Sequence, residues 1–189
     1  MSAIIDLLRQ EHRSQARLLK ALEHQLAVFD RGETPDYEVF GGVLDYCRTY
    51  ADRYHHPKED LVFDRLRLRD PAAAEAFGDL AGEHVALAEL TGRLAAAVSD
   101  VLAEAEIPRA RFHSLARDFL EHYRAHMRKE EEIFFPAALK ALTEEDWKEL
   151  DGRVTSPADP LFEGAAEERF GPLRAHLLAW DAETRAAED

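Results

Sequence analysis

Thiols are almost absent from this chain. One cysteine in 189 residues, Cys47, excludes an internal disulfide and fits a reducing compartment. Glycine and proline are also sparse, at nine and eight residues, and fall mostly between periodic segments. Runs of β-branched residues are missing, while Ala, Leu, Glu and Arg dominate, so helix is expected throughout. No stretch approaches the roughly 20 apolar residues that a membrane-spanning helix needs. Met1–Gln10 carries Asp6 and Arg9 and lacks a long apolar run, so no signal peptide is expected and the predicted location is cytoplasmic. Positive charge is short too: 24 Lys and Arg face 38 Asp and Glu, a net charge of −14. Such a surface repels nucleic acid and anionic lipid, so neither DNA, RNA nor a membrane is an expected partner.

What is present is apolar spacing of 3, 4 or 7 residues. Helix one is predicted over Ser2 to Phe29, stopped by Asp30-Arg31-Gly32. Thr34-Pro35 opens helix two, which carries Phe40, Val43, Cys47, Tyr50, Tyr54, His55, Glu59, Val62 and Leu66. Asp70-Pro71 opens helix three, with Phe77, Leu80, His84, Leu87, Leu94, Val98 and Val101. Pro108 marks helix four, with Phe112, Leu115, Phe119, His122, His126, Glu130 and Ile133 along one stripe. Short connections between long amphipathic helices predict an all-α, up-down-up-down four-helix bundle over residues 1–142. Residues 143–189 read as a helical C-terminal extension packed on that bundle. It comprises a short helix begun at Thr143-Glu144-Glu145-Asp146, a loop over Thr155 to Pro160, and a last helix from Phe170 to Ala187.

One constellation is written twice. Glu11-His12 is followed by His55-x-x-x-Glu59, and Glu83-His84 by His126-x-x-x-Glu130, at offsets of 71–72 residues. Each His-x-x-x-Glu puts an imidazole and a carboxylate on one face of one helix. Four histidines on the core stripes of four successive helices, two with a glutamate one turn on, are costly to bury without a compensating cation. Metal binding is therefore the leading expectation, and mixed imidazole and carboxylate ligation without thiolate suits iron, manganese or zinc more than copper(I) or an iron–sulfur cluster. Glu59 and Glu130 are the natural shared ligands. His12 and His55 would complete one ion, His84 and His126 the other.

Other residues are weighed against that set. His122 lies four residues before His126 and is taken as a further candidate ligand, although its counterpart in the first half is Ala51. His56 and Asp60 fall to one side of the His55/Glu59 face and read as boundary groups, His56 with a minor claim to ligation. Glu131 and Glu132 read as solvated acids, and His24, His113 and His176 as surface histidines. Tyr54 and Tyr123 read as packing residues, with a lesser claim to donating a hydrogen bond to a metal-bound species, and Cys47 reads as a small core residue. Pro57 and Pro136 are expected to bend their helices and help aim the ligands.

These residues resemble the hemerythrin-like HHE cation-binding domain. The likeness rests on His12, on His55-His56-Pro57-Lys58-Glu59-Asp60-Leu61-Val62-Phe63, on Glu83-His84, and on His126-Met127-Arg128-Lys129-Glu130-Glu131-Glu132-Ile133-Phe134-Phe135-Pro136. It implies a four-helix bundle around a non-haem di-iron centre with ligands His12, His55, Glu59, His84, His126 and Glu130. Oxygen-carrying members place a second histidine where this chain has Ala88, and end on an Asp five residues after the last histidine, where this chain offers Glu130 at four. Ligation by His122 would restore five imidazoles and two carboxylates by another route. The resemblance implies two iron ions binding or sensing a small diatomic or peroxide ligand: dioxygen, nitric oxide or peroxide. The alternatives are a peroxide- or nitric-oxide-consuming oxidoreductase, and an iron store or structural metal-binding bundle. The asymmetry between Ala51 and His122 assigns small-molecule chemistry to the ion nearest His84 and His126.

Overall fold

The Ser2 side chain accepts the Ile5 backbone N–H and starts α1 (Ala3–Asp30) in the computed structural model, which describes residues 2–154, 157–162 and 168–188. All regular structure among the described residues is helical. The second arm is unbroken from Tyr37 to Arg69: α2 (Tyr37–Tyr46), a π-helical stretch (Cys47–His55) and α3 (His56–Arg69). The fourth arm repeats that design with α6 (Arg109–Lys129), a π-helical stretch (Glu130–Phe134) and α7 (Phe135–Ala141). Pro57 and Pro136 lie in the first turns of α3 and α7, directly after the two π stretches. Proline cannot donate to the carbonyl four residues back, and the ladder beside it runs five residues back instead, His56 N–H to Ala51 and Phe135 N–H to Glu130. The expected bends are thus wide turns, and both fall at candidate ligands, His55 and Glu130.

The third arm differs from expectation. Asp70 accepts the Ala73 N–H and Pro71 begins α4, yet α4 (Pro71–Phe77) ends at Gly78, whose φ of 104° breaks the helix. Asp79 then caps a new start, α5 (Leu80–Leu102), by accepting the Gly82 N–H. A continuous helix from Pro71 is therefore corrected to two. No helix among the described residues is long and apolar enough to cross a membrane.

Two apolar clusters lie on either side of a buried polar layer. The larger holds Leu18 to Phe29 of α1, Val39 to Tyr50 before His55, Leu87 to Val98 after His84, and Phe112 to Tyr123 before His126. The smaller holds Ile4 to Leu8, Val62 to Leu66, Phe77, Leu80 and Phe134 to Ala138, on the other side of those histidines along each arm. Leu8, Leu22, Leu66 and Leu94 are fully buried, each contributing about 1.5–3 kcal/mol. This burial holds together a layer that contributes no apolar packing of its own.

Beyond residue 142, α8 (Glu144–Asp151) starts with a reciprocal capping box between Thr143 and Asp146, as its sequence predicts. Asp146 is buried and also binds Arg65 and Arg69 of α3 at 2.6 and 2.8 Å. Hydrogen bonds from Arg69, Thr143 and Arg65 outweigh burial and hold its carboxyl well below the usual range. Within the expected loop, Thr155 and Ser156 lie outside the described residues, while Asp159 accepts the Tyr46 hydroxyl at 2.8 Å. The last helix, α9 (Gly171–Glu188), seats Leu173 and Leu177 in the larger cluster. A Cβ at Gly42 would meet the Leu173 Cβ at 3.1 Å, so this glycine lets α9 approach α2.

Candidate metal centre

His12 comes from α1, His55 from the first π stretch, His84 from α5 and His126 from the end of α6. Between them stand Glu59 of α3 and Glu130 of the second π stretch, both with no exposed surface. Each carboxylate divides its oxygens between two histidine pairs. Glu59 Oε1 lies 3.3 Å from His12 Nε2 and 3.2 Å from His55 Nε2, while its Oε2 lies 3.4 Å from His84 Nε2. Glu130 Oε1 lies 3.1 Å from His126 Nε2 and 3.7 Å from His84 Nε2, while its Oε2 lies 3.4 Å from His12 Nε2. Among the described residues, two groups have ligand atoms close enough to hold an ion: His12, His55 and Glu59, and His56, Glu59, His84 and His126.

The inner atoms of this layer lack hydrogen-bond partners. His12, His84 and His126 Nε2 and all four oxygens of Glu59 and Glu130 are buried and unsatisfied. Native interiors rarely leave such atoms orphaned, and a cation facing imidazole nitrogens and carboxylate oxygens satisfies all of them at once. The residues present fit a metal.

The outer nitrogens are fully employed. Every Nδ1 of the five clustered histidines meets a carboxylate: His55 with Glu11 at 2.8 Å, His126 with Glu83 at 3.0 Å, and His84 with Asp60 at 3.1 Å. His12 meets Glu131 at 3.0 Å, and His56 meets Asp52 at 3.2 Å. Such carboxylates fix the ring tautomer so that Nε2 points inward and raise its basicity. Lys58 pairs with Glu11 and Lys129 with Glu83, so the twofold repeat extends to the supports. The Glu11 set is buried and receives the Tyr50 hydroxyl at 2.9 Å. The Glu83 set is about a third exposed and opens on a groove of about 270 Å³ lined by Leu87, Leu90, His122, Ala125 and His126.

Several sequence-predicted roles change. His122 is not brought into the cluster: it is exposed, and its Nδ1 hydrogen-bonds the Asp118 carbonyl at 2.7 Å. His56 stands there instead, buried and stacked on His84 with ring centroids 4.2 Å apart. Glu131 and Asp60 are not merely solvated or boundary acids, because each orients a histidine from the other half of the repeat. Glu11 and Glu83 gain supporting roles that the repeated Glu-His dipeptide could have signalled. His24 stacks on Trp180, His113 pairs with Asp30, and His176 contacts Gln25, all away from the layer.

Burial opposes charge on His12, but the facing carboxylates of Glu130, Glu131 and Glu59 outweigh it and push the imidazole up to about 11. His84 is likewise pushed up to about 11, with Asp60, Glu130 and Glu59 overcoming burial. His56 is lowered by burial and by the neighbouring His84 charge. Without metal, the two imidazoliums offset the buried glutamates. Their contribution to stability is fully present below about pH 6.5 and is lost as pH rises through about 11. Metal requires neutral imidazole, so loading at pH 7 should release protons from these histidines. Indicator absorbance in weakly buffered solution reads this directly, and metal uptake without proton release would contradict it.

The geometry defines a helical protein with a buried cluster of imidazoles and carboxylates that could hold a metal ion. A family model described as the hemerythrin HHE cation binding domain matches residues 3–138, and the chain belongs to that family. No curated protein and no solved structure matches the chain significantly.

Proposed function

We propose that the buried layer is a di-iron centre that binds or senses a small ligand: dioxygen, nitric oxide or peroxide. The observation that carries this is the division of each glutamate's oxygens between two histidine pairs. In this reading His12 and His55 hold one ion, His84, His126 and His56 the other, and Glu59 and Glu130 are shared. His122 leaves the proposed set because it is exposed and turned to a backbone carbonyl. Imidazole and carboxylate donors without a thiolate suit iron, manganese or zinc more than copper(I) or an iron–sulfur cluster, and two-metal carboxylate bundles of this design hold iron or manganese. Iron bound there would supply two-electron exchange with the small ligand.

The chain's own residues set the terms of that exchange. Glu11, Glu83, Asp60, Glu131 and Asp52 hold the imidazoles in one tautomer. Phe135 stacks on His12, with ring centroids 5.3 Å apart, and Leu8 and Val62 complete an apolar wall that limits water. With His56 on the second ion, the His12/His55 ion has fewer nitrogen ligands and is assigned the open position. That reverses the expectation drawn from Ala51 and His122. The reading also takes the arms to run up-down-up-down, supported by the alternating order of the two apolar clusters along them. Residues 143–189 are read as an extension of the 1–142 bundle, and a cytoplasmic setting is supported by the single buried Cys47.

Anaerobically purified, iron-loaded protein tests the function. A new visible absorption band on adding oxygen, nitric oxide or peroxide is expected. An unchanged spectrum with all three, or zinc as the resident metal, would contradict the reading. Sustained peroxide removal would move the assignment from ligand binding to the oxidoreductase alternative.

A further inference from the structure

We propose that Tyr50 and Tyr54 form an electron relay between the metal layer and a surface cavity, where a small anionic one-electron donor of the ascorbate class delivers its electron. The proposal rests on the di-iron reading with peroxide as the ligand, and names the reductant that serves that centre.

The route is continuous in contacts. His55 Nδ1 meets Glu11 Oε2 at 2.8 Å, and Glu11 Oε1 accepts the Tyr50 hydroxyl at 2.9 Å. The Tyr50 and Tyr54 rings follow, with centroids 5.8 Å apart. Tyr50 is 3% exposed and Tyr54 37%, so the relay runs from the interior to solvent. Both tyrosines lie in the π-helical stretch Cys47–His55, whose turns close five residues back. Tyr54 and His55, four and five residues on, therefore share the face of Tyr50. The other half of the repeat lacks this pair: Glu121 and Ala125 stand 71 residues after Tyr50 and Tyr54, and Glu83 meets His126 and Lys129. A role limited to satisfying Glu11 asks for Tyr50 alone.

The two tyrosines also line a cavity of about 150 Å³ with Thr49, Arg53, Pro157 and Arg169. Its guanidiniums bring positive charge to a chain of net charge −14, although Arg169 also reaches Asp45 at 3.4 Å. A small anion is the donor that such a cavity favours.

Hydrogen peroxide is the oxidant, and two electrons with two protons take it to two waters. For each electron, Tyr50 gives one electron to the centre across Glu11 and His55 and its phenolic proton to the Glu11 carboxylate, leaving a neutral phenoxyl. An oxidised phenol is a strong acid, so a carboxylate already hydrogen-bonded to it eases loss of the electron. Tyr54 then passes an electron to Tyr50, Glu11 returns the proton, and the exposed Tyr54 hydroxyl loses its own proton to water. The donor reduces the Tyr54 phenoxyl, which regains a proton from water, and leaves oxidised by one electron. Two passages supply both electrons.

Electron paramagnetic resonance of the iron-loaded chain, rapidly frozen after mixing with hydrogen peroxide, tests this with iron content measured alongside. A tyrosyl radical is expected in the parent and is lost in Tyr50→Phe, which keeps its iron. Tyr54→Phe, a change at the surface, should hold the radical on Tyr50 and slow its decay with added ascorbate about tenfold. Tyr123→Phe should leave the signal unchanged, since the Tyr123 hydroxyl partners the Cys47 thiol and not a carboxylate. A parent that binds iron and changes its visible spectrum with peroxide, yet shows no radical, would overturn the relay and leave the di-iron reading standing. A radical undiminished in Tyr50→Phe would also overturn it, as would loss of iron from that variant, by making Tyr50 part of the metal's own support. Equal decay with ascorbate in the parent and Tyr54→Phe would overturn the donor site. A parent chain that takes up no iron would instead bring down the di-iron reading, and the relay with it.

Discussion

Glu59→Ala should abolish binding of both metal ions while leaving the helices folded. Glu59 alone joins the two groups able to hold an ion, and its oxygens face His12, His55 and His84. Burial raises the cost of its charge, yet His55, His12 and His84 hold it ionised well below the usual carboxylate range. Alanine would remove one ligand from each proposed ion and leave Glu130, which faces only His12, His84 and His126 of the five histidines, as the remaining carboxylate. Loss of an outer support such as Glu11 typically weakens metal binding about 10–100-fold, so removal of a shared ligand should exceed about 100-fold. Metal content after dialysis and calorimetric titration measure the two effects. Retention of one tightly held ion in Glu59→Ala would show that the carboxylate is not shared.

The largest expected stability effect separates two lysines that occupy equivalent places in the repeat. Lys58 is 2% exposed and pairs with a buried Glu11, whereas Lys129 and Glu83 are each about a third exposed. Lys58→Met strands a carboxylate in the interior, with the Tyr50 hydroxyl and His55 as its remaining partners. That should cost about 3 kcal/mol in urea denaturation of the metal-free chain. Lys129→Met leaves Glu83 in reach of water and should cost less than about 1 kcal/mol. Equal losses would show that burial does not distinguish the two halves.

The sequence carried the helices and the ligand constellation because both are periodic. Apolar residues at spacings of 3 and 4 placed α1, the second arm and the fourth arm, and the offset of 71–72 residues paired His12 with His84 and His55 with His126. Prediction failed where the period fails. The π-helical stretch over Cys47–His55 closes its turns five residues back, so ideal helix phase misplaces the residues beyond it, and His56 enters the site. On α6 the residue turned inward before His126 is Tyr123, at three residues, while His122, at four, faces out. The Gly78 break was hidden because Phe77 and Leu80 continue a helical spacing through it. Asp60 and Glu131 cross from one half of the repeat to histidines of the other, a relation that no local spacing encodes.

In the proposed centre two carboxylates hold two metal ions side by side, and X-ray absorption at the iron edge, with metal analysis on the same purified sample, reads that arrangement. Two irons per chain are expected, with nitrogen and oxygen neighbours, no sulfur, and a second iron within about 4 Å of the first. One iron per chain without a neighbouring metal, or sulfur in the coordination sphere, would rule the shared centre out.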